Sequence, residues 1–258
     1  MCRRLMSCSD KIDMSVWLRF YEELNDFLPR EKRKQQFAVP HEEPRSVKDL
    51  IESQGVPHTE VDLILANGES VGFDYRVNAD DRIAVYPKFE TLDIRSVTRL
   101  GGSPLRQIRF VADVHLGKLV RRLRLLGFDC LYDPSWDDDA LARISSEEDR
   151  ILLTRDRGLL KRAIVDHGMF VRSVKPARQM REVIQRLDLE DSINPVSRCL
   201  KCNGKLRRAP KPDVKSRVPE RTYKYVDDYL ECSNCGKVYW RGTHWHRLEQ
   251  IIQTARGG

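Results

Sequence analysis

Two Cys-x-x-Cys pairs, Cys199-Leu200-Lys201-Cys202 and Cys232-Ser233-Asn234-Cys235, constrain this chain more than any other feature. Each pair can curl so that both thiolates face one ion, and a tetrahedron of four thiolates leaves no position for water. The expectation is one structural zinc ion held by Cys199, Cys202, Cys232 and Cys235. Asn203-Gly204 and Gly236 suit the tight turns that follow each pair. The segment between the pairs is longer than in a compact zinc ribbon and carries Lys205, Arg207, Arg208, Lys211, Lys215, Arg217, Arg221 and Lys224. A redox role for either pair is the competing reading, and tandem pairs around a basic loop favour metal. His244 and His246 lie nearby, but four thiolates already complete a tetrahedral set. Tyr223, Tyr225, Tyr239, Trp240 and Trp245 can stack on bases or pack the small unit, and both readings stand.

The rest of the composition agrees with a reducing compartment. A secreted disulfide scaffold would be shorter and denser in cysteine than this chain, which has 258 residues and seven cysteines. Cys2, Cys8 and Cys130 receive no role. Apolar residues make up 40% and charged residues 33%, enough for a real core. No apolar run approaches the roughly 20 residues that a membrane span requires, so no membrane is expected. Met1 to Asp13 is polar, reads as a disordered tail rather than a secretory signal, and leaves a cytoplasmic location as the expectation. A net charge of +7 and a pI near 9.1 favour an anionic partner, nucleic acid first.

Residues 14–92 read as strands and one helix. Val16 to Tyr21 and Gln36 to Val39 form the first pair of strands. Ser46 to Glu52 is a helix capped by Ser46 and stopped by Gly55. Val61 to Leu65 leads into an Asn67-Gly68 turn, and Arg82 to Pro87 closes the unit. This order resembles a β-grasp, or ubiquitin-like, domain. Residues 93–106 read as a linker. Gly101-Gly102 and the terminal Gly257-Gly258 are read as linker and frayed end, because carrier chemistry would need a free Gly-Gly carboxylate directly after the β-grasp.

Residues 107–190 alternate strand and helix. The strands are Ile108 to Ala112, Phe128 to Tyr132, Arg150 to Thr154 and Met169 to Val174. Helices follow from Leu116 to Leu126, Asp139 to Glu147, Leu159 to His167 and Ala177 to Leu187. Single helices between strands imply right-handed crossovers and a parallel sheet, so the central fold class is α/β. The zinc unit then takes residues 191–258.

In such sheets the functional crevice lies at the carboxyl ends of the strands. Asp113 follows the first strand, Asp156 the third, and Asp137-Asp138-Asp139 precedes the second helix. Carboxylates gathered at one edge repel unless a hard cation neutralises them, which points to Mg²⁺ or Mn²⁺. Such an ion stabilises an in-line phosphoryl displacement. The plainer readings are that Asp138 and Asp139 cap a helix and that Asp156 is a solvated turn residue.

These residues carry a family resemblance. Phe110-Val111-Ala112-Asp113-Val114-His115-Leu116-Gly117-Lys118-Leu119, Leu125-Leu126-Gly127-Phe128-Asp129 and Ile151-Leu152-Leu153-Thr154-Arg155-Asp156-Arg157 resemble the Mut-seven C-terminal ribonuclease family, a branch of the PIN-like nucleases. Tyr239-Trp240-Arg241-Gly242-Thr243-His244-Trp245 is similar to that family's ending. Pro57-His58-Thr59-Glu60-Val61 resembles the ubiquitin-like extension of its bacterial members. The resemblance implies a PIN-like Rossmannoid fold and metal-dependent RNA cleavage. Asp113 and Asp156 match its acidic positions, and Asp138 aligns best with the acid before the helix. No clear fourth acid is visible.

Lys118, Arg121, Arg122, Arg155 and Arg157, with Lys161 and Arg162, are candidate RNA contacts around the acids. Two competing functions remain: a non-catalytic RNA- or ribosome-binding adaptor, and an interaction protein whose ubiquitin-like unit docks a protein partner. Binding RNA alone gives no reason to gather carboxylates in a basic protein, so the acids favour an endoribonuclease.

Overall fold

Alternation along Ser15–Phe20 turns Val16, Leu18 and Phe20 inward and Trp17 and Arg19 outward, the signature of a half-buried strand, β1. The computed structural model describes residues 15–41, 43–88, 97–100, 107–242 and 245–256. The expected tail 1–13, the Gly101-Gly102 pair, Thr243, His244 and Gly257-Gly258 lie outside these residues, as does most of the expected linker. The chain divides into two compact units, residues 1–101 and 102–258.

In the first unit β1 pairs antiparallel with β2 (Phe37–Pro40). Helix α1 (Val47–Ser53) begins where the Ser46 hydroxyl accepts the Asp49 N–H at 3.1 Å, and it buries Val47, Leu50 and Ile51. β3 (Val61–Ala66) and β4 (Glu69–Ser70) form a hairpin through Asn67 and Gly68. β5 (Arg82–Pro87) completes the sheet, whose order is β2-β1-β5-β3-β4. β1 and β5 run parallel at its centre and every other pair is antiparallel. This is a β-grasp.

The second unit is built on β6 (Arg109–Ala112), α2 (Gly117–Leu125), β7 (Asp129–Leu131), α3 (Asp138–Glu147), β8 (Ile151–Thr154), α4 (Arg157–Leu160), β9 (Gly168–Phe170) and α5 (Pro176–Arg186). The four strands are all parallel, in the order β7-β6-β8-β9. Strands covered on both faces read as unbroken apolar runs, and Ile151–Thr154 is buried throughout. Alternation sends Phe110, Ala112, Ile151 and Leu153 to one face, against α2 and α5. It sends Val111 and Leu152 to the other, against α3 and α4.

One helix differs from its sequence expectation. α4 stops at Leu160 rather than running to His167, and Gly168 opens β9 instead of ending a helix. Leu159, Leu160 and Val165 all bury in one cluster. In a continuous helix Val165 would sit about 240° around the axis from Leu159 and face away. A turn closed by the Val165 N–H on the Arg162 carbonyl at 3.0 Å brings it back.

Beyond the parallel sheet, β10 (Leu206–Ala209), α6 (Glu220–Tyr225), β11 (Tyr229–Cys232) and β12 (Val238–Trp240) form a three-stranded antiparallel ribbon with one helix. The chain then enters α7 (Trp245–Ala255), an element that the sequence reading does not assign. Ile252 and Ala255 of α7 belong to the same buried cluster as Phe110 and Leu119, and the helix joins it by packing against α5 and α2. The segment after α5 crosses the end of α2. Asn194 N–H bonds the Leu126 carbonyl at 3.0 Å and Val196 N–H the Leu125 carbonyl at 2.9 Å. Gly127, at φ +98°, permits that crossing, for a Cβ there would lie 2.0 Å from the Asn194 oxygen.

Candidate functional site

The strand order makes β6 the branching strand, since β7 lies on one side of it and β8 on the other. In parallel sheets this switch point opens the crevice where ligands bind. Asp113 follows β6 and Asp156 lies two residues past β8, so the two acids flank it. The Asp113 N–H continues the ladder to the Leu153 carbonyl at 3.0 Å.

Asp113 is only 7% exposed. The Thr154 hydroxyl, fully buried, donates to Asp113 Oδ2 at 2.7 Å and accepts the Asp156 backbone N–H at 2.9 Å. Among the described residues no basic side chain pairs with the Asp113 carboxylate. A buried carboxylate without a counter-charge is costly, and a cation relieves that cost. Asp156 caps α4: its Oδ1 accepts the Gly158 N–H at 2.6 Å and the Leu159 N–H at 3.4 Å. That leaves Asp156 Oδ2 and Asp113 Oδ1 outside these contacts.

The triplet before α3 is divided. Asp137 is the N-cap, accepting the Ala140 N–H at 2.8 Å, and Asp139 forms an ion pair with Arg162. Asp138 is exposed at the first helical position. Asp113, Asp138 and Asp156 do not close into a group sharing one ion: among the described residues only the four cysteines do so. Mg²⁺ commonly takes one or two carboxylates and keeps several waters, so the pair Asp113 and Asp156 suits it as a donor set.

The basic candidates fall into two kinds. Lys118 and Arg121 are exposed on α2. Arg122 is half-buried, and burial, then the charge of Arg247 on α7, lower its guanidinium pKa. Arg155 holds the chain after β9, donating to the Val171, Arg172 and Ser173 carbonyls at 3.2, 2.9 and 2.6 Å. Arg157 stacks over Phe170 at 5.6 Å. In the basic loop, Lys211 pairs with Asp227 at 2.7 Å and Arg217 with Glu231 at 2.6 Å, which partly neutralises it.

The four sulfurs of Cys199, Cys202, Cys232 and Cys235 lie within 4.8 Å of one another. Cys199 and Cys235 are 3.7 Å apart, Cys202 and Cys232 3.4 Å. A tetrahedral ion with metal–sulfur bonds of about 2.3 Å would set edges of roughly 3.8 Å, so the cage has the size of a Cys₄ site. The turns are built by backbone bonds, Cys199 N–H to Gly204 O at 2.7 Å and Gly236 N–H to Cys232 O at 3.0 Å. At Gly204 a Cβ would meet the Cys232 sulfur at 2.8 Å, so only glycine fits. The Tyr239 hydroxyl lies 3.1 Å from the Cys199 sulfur and accepts the Leu200 N–H at 3.1 Å. Cys130 stands apart: burial pushes its thiol up to about 12, so it stays an inert core residue.

The sequence reading missed the joint between these two centres. Arg124, on α2, is buried and donates to the Cys130 carbonyl at 3.0 Å and the Lys201 carbonyl, inside the first cysteine pair, at 2.8 Å. The Asn203 side chain docks on β7, the edge strand of the parallel sheet. Its Oδ1 accepts the Cys130 N–H at 3.1 Å, and its Nδ2 donates to Asp129 Oδ1 at 2.8 Å. Asp129 also meets Arg150 at 2.8 Å and Arg198 at 3.1 Å. Burial raises the Asp129 pKa, but the bonds from Arg150 and Asn203 and the charges of Arg150 and Arg198 outweigh it and leave it below the usual carboxylate range. Directly after the same strand, the Tyr132 hydroxyl donates to the Val114 carbonyl, one residue past Asp113, at 3.0 Å.

Comparison with known proteins agrees with this architecture. A family model described as the Mut7-C RNAse domain matches residues 108–252, and one described as Mut7-C ubiquitin matches residues 14–93. No curated protein and no solved structure matches the chain.

Proposed function

Because this chain belongs to the Mut7-C RNAse family, we propose that it is a metal-dependent endoribonuclease whose reacting centre lies at Asp113 and Asp156, with Asp138 at its margin. The observation that carries this reading is the buried Asp113 carboxylate, held by Thr154 at 2.7 Å beside the switch point of a parallel sheet. A bound Mg²⁺ or Mn²⁺ supplies charge stabilisation to phosphoryl oxygens and a more acidic water. The protein's own part is positional. Thr154 fixes the rotamer of Asp113 and the backbone of Asp156 with one hydroxyl, so the two acids keep their spacing. Lys118, Arg121, Arg155 and Arg157 are the exposed cations assigned to the RNA backbone, together with the half-buried Arg122.

The cysteine quartet is read as a structural zinc site. A closed thiolate cage cannot activate water, so its role is to hold the basic ribbon. The β-grasp unit is assigned to a protein partner, and the cytoplasm is the expected compartment. No helix among the described residues is long and apolar enough to cross a membrane.

The test compares wild type, Asp113→Asn and Asp156→Asn on end-labelled RNA and DNA, with Mg²⁺, Mn²⁺ or neither added. Cleavage of RNA by wild type, at least about 100-fold slower in both variants, is the expected result. Equal cleavage by all three proteins would sink the site, and RNA binding without cleavage under every metal would favour the adaptor reading.

A further inference from the structure

A cleft of about 570 Å³ opens between the antiparallel ribbon and α7, with neither Asp113 nor Asp156 on its lining. Its size falls within the range of small-ligand sites, about 300–1,000 Å³. Its lining joins two chemistries. Tyr239, Trp240 and Trp245 bring flat rings, each half-buried, so they are neither solvated nor fully taken up by the core. Arg208 and Arg241 bring guanidinium groups, and both are exposed. Arg241 lies over the Trp245 ring at 4.7 Å, and among the described residues no carboxylate pairs with Arg208.

We propose that this cleft binds one unpaired nucleotide of an RNA strand, its base stacked on the Trp245 side of the cleft and its phosphate held by Arg208 and Arg241. The proposal rests on reading the chain as a protein that acts on RNA and names where the strand is gripped. A nucleotide is a flat, weakly polar ring joined to an anion, and the cleft offers rings beside the exposed guanidinium groups of Arg208 and Arg241, with the carboxylates of Asp228 and Glu249 also on its lining. Every base has a π face, so stacking gives affinity without sequence choice. Asp228, also on the lining, is a hydrogen-bond acceptor and favours bases that carry an exocyclic amine. A base inside a duplex cannot enter, so the cleft selects single strands, loops or ends. The net charge of +7 disfavours a basic occupant.

The test uses the full chain, zinc-loaded and carrying Asp113→Asn so that RNA stays intact. Binding of a short fluorescein-labelled single-stranded RNA, and of a blunt RNA duplex of equal length, is followed by anisotropy and by tryptophan quenching. The expected result is single-strand binding that quenches tryptophan and weakens about tenfold or more in Trp245→Ala and in Arg241→Glu. Trp245→Phe, which keeps a ring, should restore most of it. Arg208→Glu and Arg241→Glu change exposed side chains, so they report on the cleft even where Trp245→Ala perturbs α7. Unchanged affinity in all these variants overturns the proposal. So does a duplex that binds as well as the single strand, or a cleft quenched by an acidic peptide and not by RNA. Cleavage by the otherwise wild-type chain separates this proposal from the ribonuclease reading. Cleavage with the same KM in the Trp245→Ala and Arg241→Glu chains removes the cleft and keeps the nuclease. Intact cleft binding without cleavage under any metal keeps the cleft and removes the nuclease.

Discussion

Thr154 donates its hydroxyl to Asp113 Oδ2 at 2.7 Å, and the same oxygen accepts the backbone N–H of Asp156 at 2.9 Å. One side chain, fully buried at the end of β8, thus fixes both acids of the proposed centre. Thr154→Val keeps the shape and removes both bonds. It should lower stability by about 1.5–3 kcal/mol in denaturant titration, because a buried charged acceptor loses its donor. It should also lower kcat for RNA cleavage at least about tenfold with RNA affinity unchanged. A variant that loses stability but keeps kcat would leave Thr154 a core residue only.

Arg124 bridges α2 and the first cysteine pair through the Cys130 and Lys201 carbonyls. Arg124→Met fills similar volume without the donors. Zinc release to a chromophoric chelator should then accelerate, and stability should fall by about 2–4 kcal/mol. Full metal removal from the wild type should raise amide exchange in β10, β11 and β12 while leaving β1 and β5 protected, since zinc binding is coupled to local folding. Exchange rising equally in the β-grasp strands would contradict that division.

Asp129 gives a pH dependence with a definite sign. Its folded pKa lies below the ordinary value, so its contribution is present above the unfolded pKa of about 3.9 and is lost as pH falls through the folded value. Between pH 5 and pH 2.5, wild type should lose stability more steeply than Asp129→Asn. Parallel curves for the two proteins would show that the Arg150, Arg198 and Asn203 contacts do not favour the charged form.

Gly127 sits at φ +98° with the Asn194 carbonyl where a Cβ would go. Gly127→Ala should destabilise the second unit by about 3 kcal/mol or more, from backbone strain and overlap together. A melting temperature equal to that of wild type would mean that the crossing at residues 194–196 moves freely aside.

Much of this was legible in the residues. The parallel strands announced themselves as apolar runs, and the cysteine spacing forecast a four-sulfur cage. Asp113 and Asp156 follow strand ends, so their placement at the carboxyl edge of the sheet could be read before its strand order was known, whereas the switch point could not. Arg124 could not be read in that way. A lone Arg on a basic helix looks the same whether it faces water or the Cys130 and Lys201 carbonyls, and only tertiary packing tells Arg124 from Arg121. Asn203 looked like a turn residue and is one, but its side chain also completes a sheet edge far away in sequence. α4 was over-extended because apolar residues at 159, 160 and 165 pass for a helix until the burial of Val165 is known. α7 was readable, since Trp245, Leu248, Ile252 and Ala255 recur at helical spacing.

That last helix has a consequence for how the protein is made. Ile252 and Ala255 lie in one buried cluster with Phe110 and Leu119, residues that leave the ribosome well over a hundred positions earlier. Helices α2 and α5 cover that face of the sheet first, and the apolar surface that they turn toward α7 stays uncovered until residue 255 has been synthesised. For that interval the nascent second unit needs either a chaperone or delay, whereas the β-grasp ahead of it already holds every strand of its own sheet.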